Sequence, residues 1–345
     1  MITIKMIATD AKGNTADISK YIGDVEVSGA LKESSRTLSF KALRADVDKS
    51  FEAYNLNLGD RIVCKEIFED EKEKKFFEGV VWAKATKDND VAIDVTCYDK
   101  AIYLNKNETS EQVYTEKTAK EASEAIIKEL GLEVGKLADT AKYNFNLRGL
   151  TGYDAIMACY TKDSEATGKK YKLIDIDGKI NVFEAGEKHP IVIEELDEPV
   201  VGKLLDMSYK ESLDELVNEV KAIDDKKKDK KEDVKEDPKS QERYGKIQKV
   251  LKGDARELAG LMQDAKQEIE VTCIGDWDMM AGKSIELKSS IVSGTFYIIS
   301  DKHKLDDAVH TVELQLSNEL EMDTKNEGKE EGNGKAGKVS EESGE

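Results

Sequence analysis

The sequence contains few of the residues that usually build a catalytic or metal site. Its 345 residues include three histidines and four widely separated cysteines: His189, His303, His310, Cys64, Cys97, Cys159 and Cys273. No histidine lies in a zinc-binding helix pattern or beside a nucleophile elbow. No two cysteines form a Cys-x-x-Cys pair, so the pattern favours reduced, buried thiols over disulfides or metal ligands. We therefore predict no catalytic residue, no bound cofactor and no metal ligand.

The chain also lacks an excess of positive charge and a long apolar run. It has 53 Lys and Arg residues against 72 Asp and Glu, which gives a net charge of −19. This acidity argues against direct binding to nucleic acid, because phosphates attract Lys and Arg patches. No stretch approaches the ~20 apolar residues that span a bilayer, and the first residues alternate in polarity, unlike a signal peptide. We expect synthesis in a cytoplasm without membrane insertion.

Three other features have a structural interpretation. The cluster of Asp175, Asp177 and Gly178 superficially resembles a calcium loop but lacks the later ligands, so a hairpin turn is favoured. Trp82 lies within a predicted strand and is expected in a core or interface. Trp277 follows a turn, and both the core and a sugar-stacking role stay open for it. Acidic pairs are too numerous for the sequence to select two as a glycosidase pair.

Residues 1–104 predict a first β domain. Apolar and polar residues alternate, as in half-buried strands, over 25–27, 37–43, 61–68, 76–85 and 91–98. The run 69–75 contains only Asp, Glu and Lys, which indicates a solvated hairpin tip.

Residues 105–198 predict a mixed α/β domain. Thr118 with Glu121 forms a capping box before an apolar helical stripe, and a second helix is expected from near Thr151. A β-hairpin follows over 171–183, and Asp177-Gly178 supplies its type I′ turn.

Residues 199–322 return to β patterns and predict a second β domain. Within it, the sequence predicts a charged loop over 224–237, a strand over 243–251 and a helix over 254–266. The tail 323–345 is rich in Gly, Glu, Lys and Ser and is expected to be disordered.

Three short patterns occur early and return late in the same order. They pair residues 58–62 with 281–285, 79–82 with 294–297, and 92–97 with 311–316. Their offsets of 223, 215 and 219 residues are similar enough to predict one duplicated β unit. A fourth pair, 32–34 with 210–212, has an offset of 178, so we expect about 45 additional residues in the second copy, between Asp224 and Lys266.

The order of these segments resembles one known family. The matching segments are Ser35-Arg36-Thr37-Leu38, Leu58-Gly59-Asp60, Phe77-Glu78-Gly79-Val80, Val95-Thr96-Cys97-Tyr98-Asp99 with Tyr103-Leu104, Arg243-Tyr244-Gly245-Lys246-Ile247, Ala281-Gly282, and Gly294-Thr295-Phe296-Tyr297-Ile298 with His303. Together they resemble the baseplate hub proteins of contractile phage tails and phage-tail-like bacteriocins, the XkdQ-like and late-control protein D group. The resemblance covers residues 1–320 and depends on order and spacing. The charged loop and the acidic tail have no counterpart in it.

The resemblance implies a mainly β fold with an α+β middle region and two related β-barrel domains. It implies a homotrimer whose six barrels form a pseudo-sixfold ring, joining the hexameric tail tube to the trimeric spike. The implied partners are tube and spike proteins, other baseplate proteins and the tape measure protein, in a phage or bacteriocin tail particle. The absence of a catalytic set among the residues predicts no enzymatic activity. The alternatives are a tail-associated peptidoglycan hydrolase and a cell-wall-binding module.

Overall fold

The computed structural model describes residues 3–44, 54–68, 72–88, 90–110, 113–223, 232–252, 262–306 and 309–328. Strands dominate this part of the chain, and a mixed helical region lies in its middle. The predicted fold class is therefore confirmed.

The first barrel unit is built from the strands of the first hundred residues. These are β1 (Thr3–Thr9), β2 (Thr15–Asp17), β3 (Ile22–Ala30), β4 (Thr37–Leu43), β5 (Arg61–Ile67), β6 (Glu73–Ala85) and β7 (Ala92–Tyr98), with a 3-10 turn at Ser19–Tyr21. All neighbours are antiparallel, in the order β3-β4-β7-β6-β5-β1-β2. The inward side chains of each strand form one apolar core, for example Met6, Leu38, Ile62, Val81 and Cys97.

The predicted charged hairpin tip is shorter than expected. Residues 69–71 lie outside the described residues, but β6 already begins at Glu73. The Glu73 carboxylate lies between two lysines of neighbouring strands, 3.2 Å from Lys5 Nζ and 2.6 Å from Lys65 Nζ. Cross-strand pairing of opposite charges therefore lets polar residues continue the strand.

The middle region combines helices with two small sheets. Its elements are α1 (Ile102–Lys106), β8 (Val113–Thr118), α2 (Ala119–Glu129), β9 (Glu133–Leu137), β10 (Lys142–Asn146), α3 (Gly152–Thr167), β11 (Tyr171–Ile176) and β12 (Lys179–Glu184). Both predicted helix starts are confirmed, because Thr118 and Thr151 cap α2 and α3. The predicted hairpin is confirmed as β11–β12, and Asp177 and Gly178 have φ values of 57° and 80°, as a type I′ turn requires.

The second barrel unit contains six strands and a large insertion. In chain order the elements are β13 (Lys188–Glu194), β14 (Leu204–Ser212), β15 (Glu219–Ile223), β16 (Glu232–Glu236), α4 (Pro238–Tyr244), β17 (Gln248–Lys252), β18 (Lys266–Ile274), β19 (Ser284–Lys288), β20 (Ser293–Asp306) and β21 (Val309–Ser317). The unit has the order β14-β18-β21-β20-β19-β13. A bridge between Glu194 and Lys203 brings the end of β13 back to the start of β14.

The insertion differs from its prediction in three places. Residues 232–236 of the predicted charged loop form β16, which pairs with β15. The predicted strand 243–251 begins inside α4, which Asp237 caps and Pro238 starts, and becomes strand only from Gln248. Of the predicted helix 254–266, residues 254–261 lie outside the described residues, 262–265 are not helical and Lys266 begins β18. These strands form because β16 and β17 pair with β15 and β18 pairs with β14. The local sequence pattern does not show which distant strand will be the partner.

The start of the predicted disordered tail is packed on the middle region. Asp323 is buried and accepts a hydrogen bond from the Tyr153 hydroxyl at 2.8 Å. Glu327 binds Lys162 at 2.9 Å, and the Gly328 N–H donates to the Asn146 carbonyl at 2.8 Å. The expectation of disorder is therefore wrong for 323–328, because tertiary hydrogen bonds compensate for the low apolar content. Residues 329–345 lie outside the described residues.

The two barrel units have equivalent strand orders. Each strand of one unit has a counterpart at the same position in the other sheet: β3, β4, β7, β6, β5 and β1 correspond to β14, β18, β21, β20, β19 and β13. The corresponding strands also follow one another in the same order along the chain. The last strand differs in direction, because β1 is antiparallel to β5 whereas β13 is parallel to β19.

The turns before β5 and β19 carry the same hydrogen bonds. Gly59 N–H donates to the Val81 carbonyl at 2.8 Å, and Gly282 N–H donates to the Ile298 carbonyl at 2.9 Å. Both glycines have φ near +90°, which a residue with a side chain adopts only with strain. The duplicated pattern seen in the sequence therefore has a structural counterpart in these two turns.

The individual repeats fit to different degrees. The pairs 58–62 with 281–285 and 92–97 with 311–316 occupy equivalent ladder positions. The second pair is displaced by two residues, because Val81 corresponds to Ile298. The fourth pair is wrong, because 210–212 lie inside β14 whereas 32–34 follow β3. The additional length agrees with the expected number of residues, but it begins before Asp224, because 213–265 connect β14 to β18 where 31–36 connect β3 to β4.

Removing the cap of α2 tests the local folding of the middle region. Thr118 accepts a hydrogen bond from the Glu121 N–H at 3.0 Å, so Thr118→Ala leaves a helix N–H without its partner. We expect a loss of about 1 kcal/mol in the free energy of unfolding, measured by urea denaturation. Thr118→Ser keeps the hydroxyl and should behave like the wild type. Equal losses in both variants would contradict the role of the cap.

Candidate functional site at the junction of the two barrel units

The junction begins with a strand that belongs to both barrel units. The first half of β20 pairs with β19, and its second half pairs with β3 of the first unit. The register across the units runs from Ser300 opposite Ala30 to Leu305 opposite Val25. Main-chain hydrogen bonds therefore join both units into one 13-stranded sheet.

A buried ion pair crosses this ladder. The Arg36 guanidinium donates two hydrogen bonds to the Asp301 carboxylate, one at 3.1 Å and one shorter. The Ala281 N–H donates to the same carboxylate at 2.7 Å. Asp301 has a fully buried side chain and Arg36 is 13% exposed. Burial alone would raise the pKa of Asp301, but the Arg36 charge and the His303 hydrogen bond hold it well below its ordinary value.

An aromatic stack lies beside the ion pair. Trp277, from the loop before β19, inserts between Phe76 and His310 with ring centroids 3.8 and 3.9 Å away. Its indole N–H donates to the Glu66 carboxylate at 2.9 Å. Trp277 comes from the second unit but packs in the core of the first. The two interpretations left open for Trp277 are thereby resolved in favour of the core.

Two histidines complete this buried cluster. His303 Nδ1 lies 2.9 Å from His310 Nε2, and His303 Nε2 lies 3.1 Å from the Met279 carbonyl. Both side chains are buried. Burial, together with the neighbouring His303, lowers the pKa of His310 to about 3, so His310 is neutral at physiological pH.

The middle region contacts the same junction through a buried lysine. Lys172 Nζ donates to the carbonyls of Ala30, Leu31 and Glu33, at 2.8, 3.2 and 2.5 Å. Burial is the main reason that the pKa of Lys172 falls to about 8. Ala30 ends β3 and the other two residues follow it, so the lysine fixes the middle region to the end of the shared ladder.

A second contact joins the middle region to the first unit. Asp175 accepts hydrogen bonds from the Lys100 N–H at 3.0 Å and the Gly178 N–H at 2.7 Å. Burial raises the pKa of Asp175 to about 6. The residues that superficially resemble a calcium loop thus form a hairpin turn docked on the first barrel unit.

The other residues singled out in the sequence do not form a site of their own. His189 is buried, accepts from the Ile191 N–H at 3.2 Å, and its Nε2 lies 3.8 Å from the carboxylate of Asp276, the residue before Trp277. Trp82 is half-buried beside Tyr98 and Tyr103. The four cysteines are buried and free. In the described ranges, no group of three or more His, Cys, Asp or Glu side chains is arranged to hold a metal ion, and no helix is long and apolar enough to cross a membrane.

The residues of the junction have no local signal in the sequence. Arg36 and Asp301 are 265 positions apart, and each looks like an ordinary charged residue in a strand-rich segment. Predicting that Arg36 and Asp301 pair requires the register of β20 against β3, which the local sequence does not give. Arg36 lies within one segment of the family resemblance, which assigns no role to its side chain.

Solved structures of prophage tail proteins share this fold. The 43 kDa tail protein of prophage MuSo2 from Shewanella oneidensis is 12% identical, with a TM-score of 0.67 over 91% of this chain and 97% of that one. The tail protein from Neisseria meningitidis MC58 is 12% identical, with a TM-score of 0.60 over 91% and 96%. Prophage tail protein gp18 from Listeria monocytogenes EGD-e is 12% identical, with a TM-score of 0.57 over 92% and 95%. The fold is thus that of prophage tail proteins.

The sequence places the chain within a family. A family model described as YQBQ-like matches residues 25–317, and the chain belongs to this family. A comparison with curated proteins found no match. The resemblance to tail baseplate proteins is therefore confirmed by family and fold.

Breaking the buried ion pair tests its role in joining the units. Arg36→Met leaves the Asp301 carboxylate buried without its main counter-charge, so we expect a loss of about 3 kcal/mol in the free energy of unfolding. Lys41→Met is the control, because Lys41 pairs with Asp24 at 54% and 70% side-chain exposure. That exposed pair is screened by solvent and should contribute little to stability. Similar urea midpoints for the two variants would contradict the role of Arg36.

His310 should make the fold sensitive to acid. Its pKa in the folded state, about 3, is below the ordinary value of 6.5, so its contribution is complete above pH 6.5 and is lost as pH falls towards 3. Unfolding free energy should drop by about 1.4 kcal/mol per pH unit from this group. His310→Gln should flatten the pH dependence measured by urea denaturation between pH 6.5 and 4. An unchanged slope would refute the assignment.

Proposed function

We propose that this protein is the central hub of a contractile tail baseplate and acts as a structural component. The observation that carries the proposal is the equivalent strand order of two barrel units within one chain. Family membership and the prophage tail fold support the same function.

Two equivalent units per chain explain how a trimer meets a sixfold partner. Three copies present six similar strand units around one axis, which matches a hexameric tail tube. The insertion 213–265 exists only in the second unit, so it repeats three times around the ring and suits a trimeric spike. The hub thereby converts sixfold symmetry on one face into threefold symmetry on the other.

The proposed partners are further copies of this chain, tube and spike proteins, other baseplate proteins and the tape measure protein. We propose residues 1–104 as the first ring-forming domain and 199–322, extended by β13 (Lys188–Glu194), as the second, with the middle region as the domain between them. The net charge of −19 opposes direct binding to nucleic acid. The particle is a phage tail or a related bacteriocin, assembled from protein made in the bacterial cytoplasm.

We propose no enzymatic activity. The unusual ionisable groups of the junction, Asp301, His303 and His310, are buried and hydrogen-bonded between the barrel units, where a polymeric substrate does not reach. Trp277 is likewise packed in a core, which weakens a wall-binding role. Clearing in a peptidoglycan gel, abolished by substitution of one acidic residue, would instead support a peptidoglycan hydrolase.

The oligomeric state tests the proposal directly. Light scattering after size exclusion should give a mass of three chains, and negative-stain images should show a ring with a central channel. Mixing with tube protein or spike protein should produce complexes that elute earlier. A stable monomer at high concentration that binds neither partner would contradict the hub function.

A further inference from the structure

Two strand edges lack a partner in the part of the chain that the structure describes. β14 pairs with β18 on one side, and beyond the bridge at Lys203 no strand pairs with its other side. β6 pairs with β5 only as far as Val80, although β6 continues to Ala85. Exposed edges of this kind readily accept a strand from another chain.

The internal equivalence of the barrel units relates these two edges. β14 corresponds to β3, and the second half of β6 corresponds to the second half of β20. β3 and that half of β20 form the ladder between the units. The free edges are thus the equivalents of the two strands that already pair within the chain.

Local irregularities fix the correspondence of β6 with β20. In β20 the pairing with β21 shifts between Ile298 and Ser300, and in β6 the pairing with β7 shifts between Val81 and Ala83. Ser300 therefore corresponds to Ala83.

The ladders fix the correspondence of β3 with β14. Val27 pairs with Leu38, and Tyr209 pairs with Ile269. Leu38 and Ile269 occupy the same position opposite β7 and β21, respectively. Val27 therefore corresponds to Tyr209.

Burial differs between the paired strand and its unpaired equivalent. Val25 and Val27 are buried under the shared ladder, whereas their counterparts Met207 and Tyr209 are only half-buried. A strand added along β14 would cover both side chains. On the other edge, Ala83 and Ala85 are exposed and small enough for close approach of a neighbouring strand.

We propose that β14 of one copy pairs antiparallel with the second half of β6 of a second copy. The register repeats that of β20 and β3, so Ser212 lies opposite Ala83 and Glu211 lies opposite Lys84. The Lys84 ammonium and the Glu211 carboxylate are of opposite charge and both residues are exposed in the single chain. The inference deepens the proposed hub function by naming the contact that closes the ring.

Cross-linking between copies tests this register. Lys84→Cys and Glu211→Cys variants are prepared separately, mixed, and treated with a short bis-maleimide. The native cysteines are buried and should not react in the folded protein. The mixture should give covalent dimers on a denaturing gel, and neither variant alone should do so. A mixture of Thr15→Cys, on the opposite sheet edge β2, with Glu211→Cys is the matched control and should stay monomeric on the gel.

Charge exchange provides an independent measurement. Lys84→Glu and Glu211→Lys should each lower the oligomeric fraction measured by light scattering, and the double variant should recover it. Assembly that persists without cross-linking or charge recovery would overturn this interface and leave the hub function intact. A wild-type chain that stays monomeric, alone and with tube or spike protein, would overturn both.

Discussion

The ladder between β20 and β3 is the interaction on which the arrangement of this protein depends. It carries main-chain hydrogen bonds from one barrel unit to the other, and the Arg36–Asp301 pair is buried across it. A buried ion pair adds little net stability compared with apolar residues of the same size, but an unpaired buried charge is costly. The pair therefore penalises any register or domain position in which Arg36 and Asp301 do not meet.

The middle region is fixed to this ladder, and the start of the tail is fixed to the middle region. Lys172 donates hydrogen bonds to three carbonyls at the end of β3. The Trp277 side chain of the second unit packs in the core of the first unit. Residues 323–328 return from the second unit to the middle region through Asp323 and Glu327. The described parts of the chain are thus joined by specific polar contacts as well as by apolar packing.

The two units show how a duplicated fold acquires separate roles. Strand order and the turns at Gly59 and Gly282 are retained, because they define the sheet. The direction of the last strand and the connection after β14 have changed, and neither change disturbs the central strands. The differences between the two units are therefore concentrated at the edges of the sheet, and its central strands are retained.

The sequence by itself determined the elements whose signals are local. Alternation located β4 to β7 and the centre of β3 but not β1 or β2, Thr118 and Thr151 located the helix starts, and Asp177-Gly178 located the hairpin turn. It also determined the duplication and the family, because those depend on the order of segments. The capping and turn signals act over a few residues, so they survive in any tertiary context.

Only the tertiary structure decided which distant residues and strands contact one another. The polar segments at β16 and 323–328 are ordered because distant strands and side chains supply their hydrogen bonds. The pairing of Arg36 with Asp301 and the burial of Trp277 depend on the register of strands hundreds of residues apart. Shifting a strand by one residue moves every side chain to the other face, and local pattern does not specify which distant strand lies alongside.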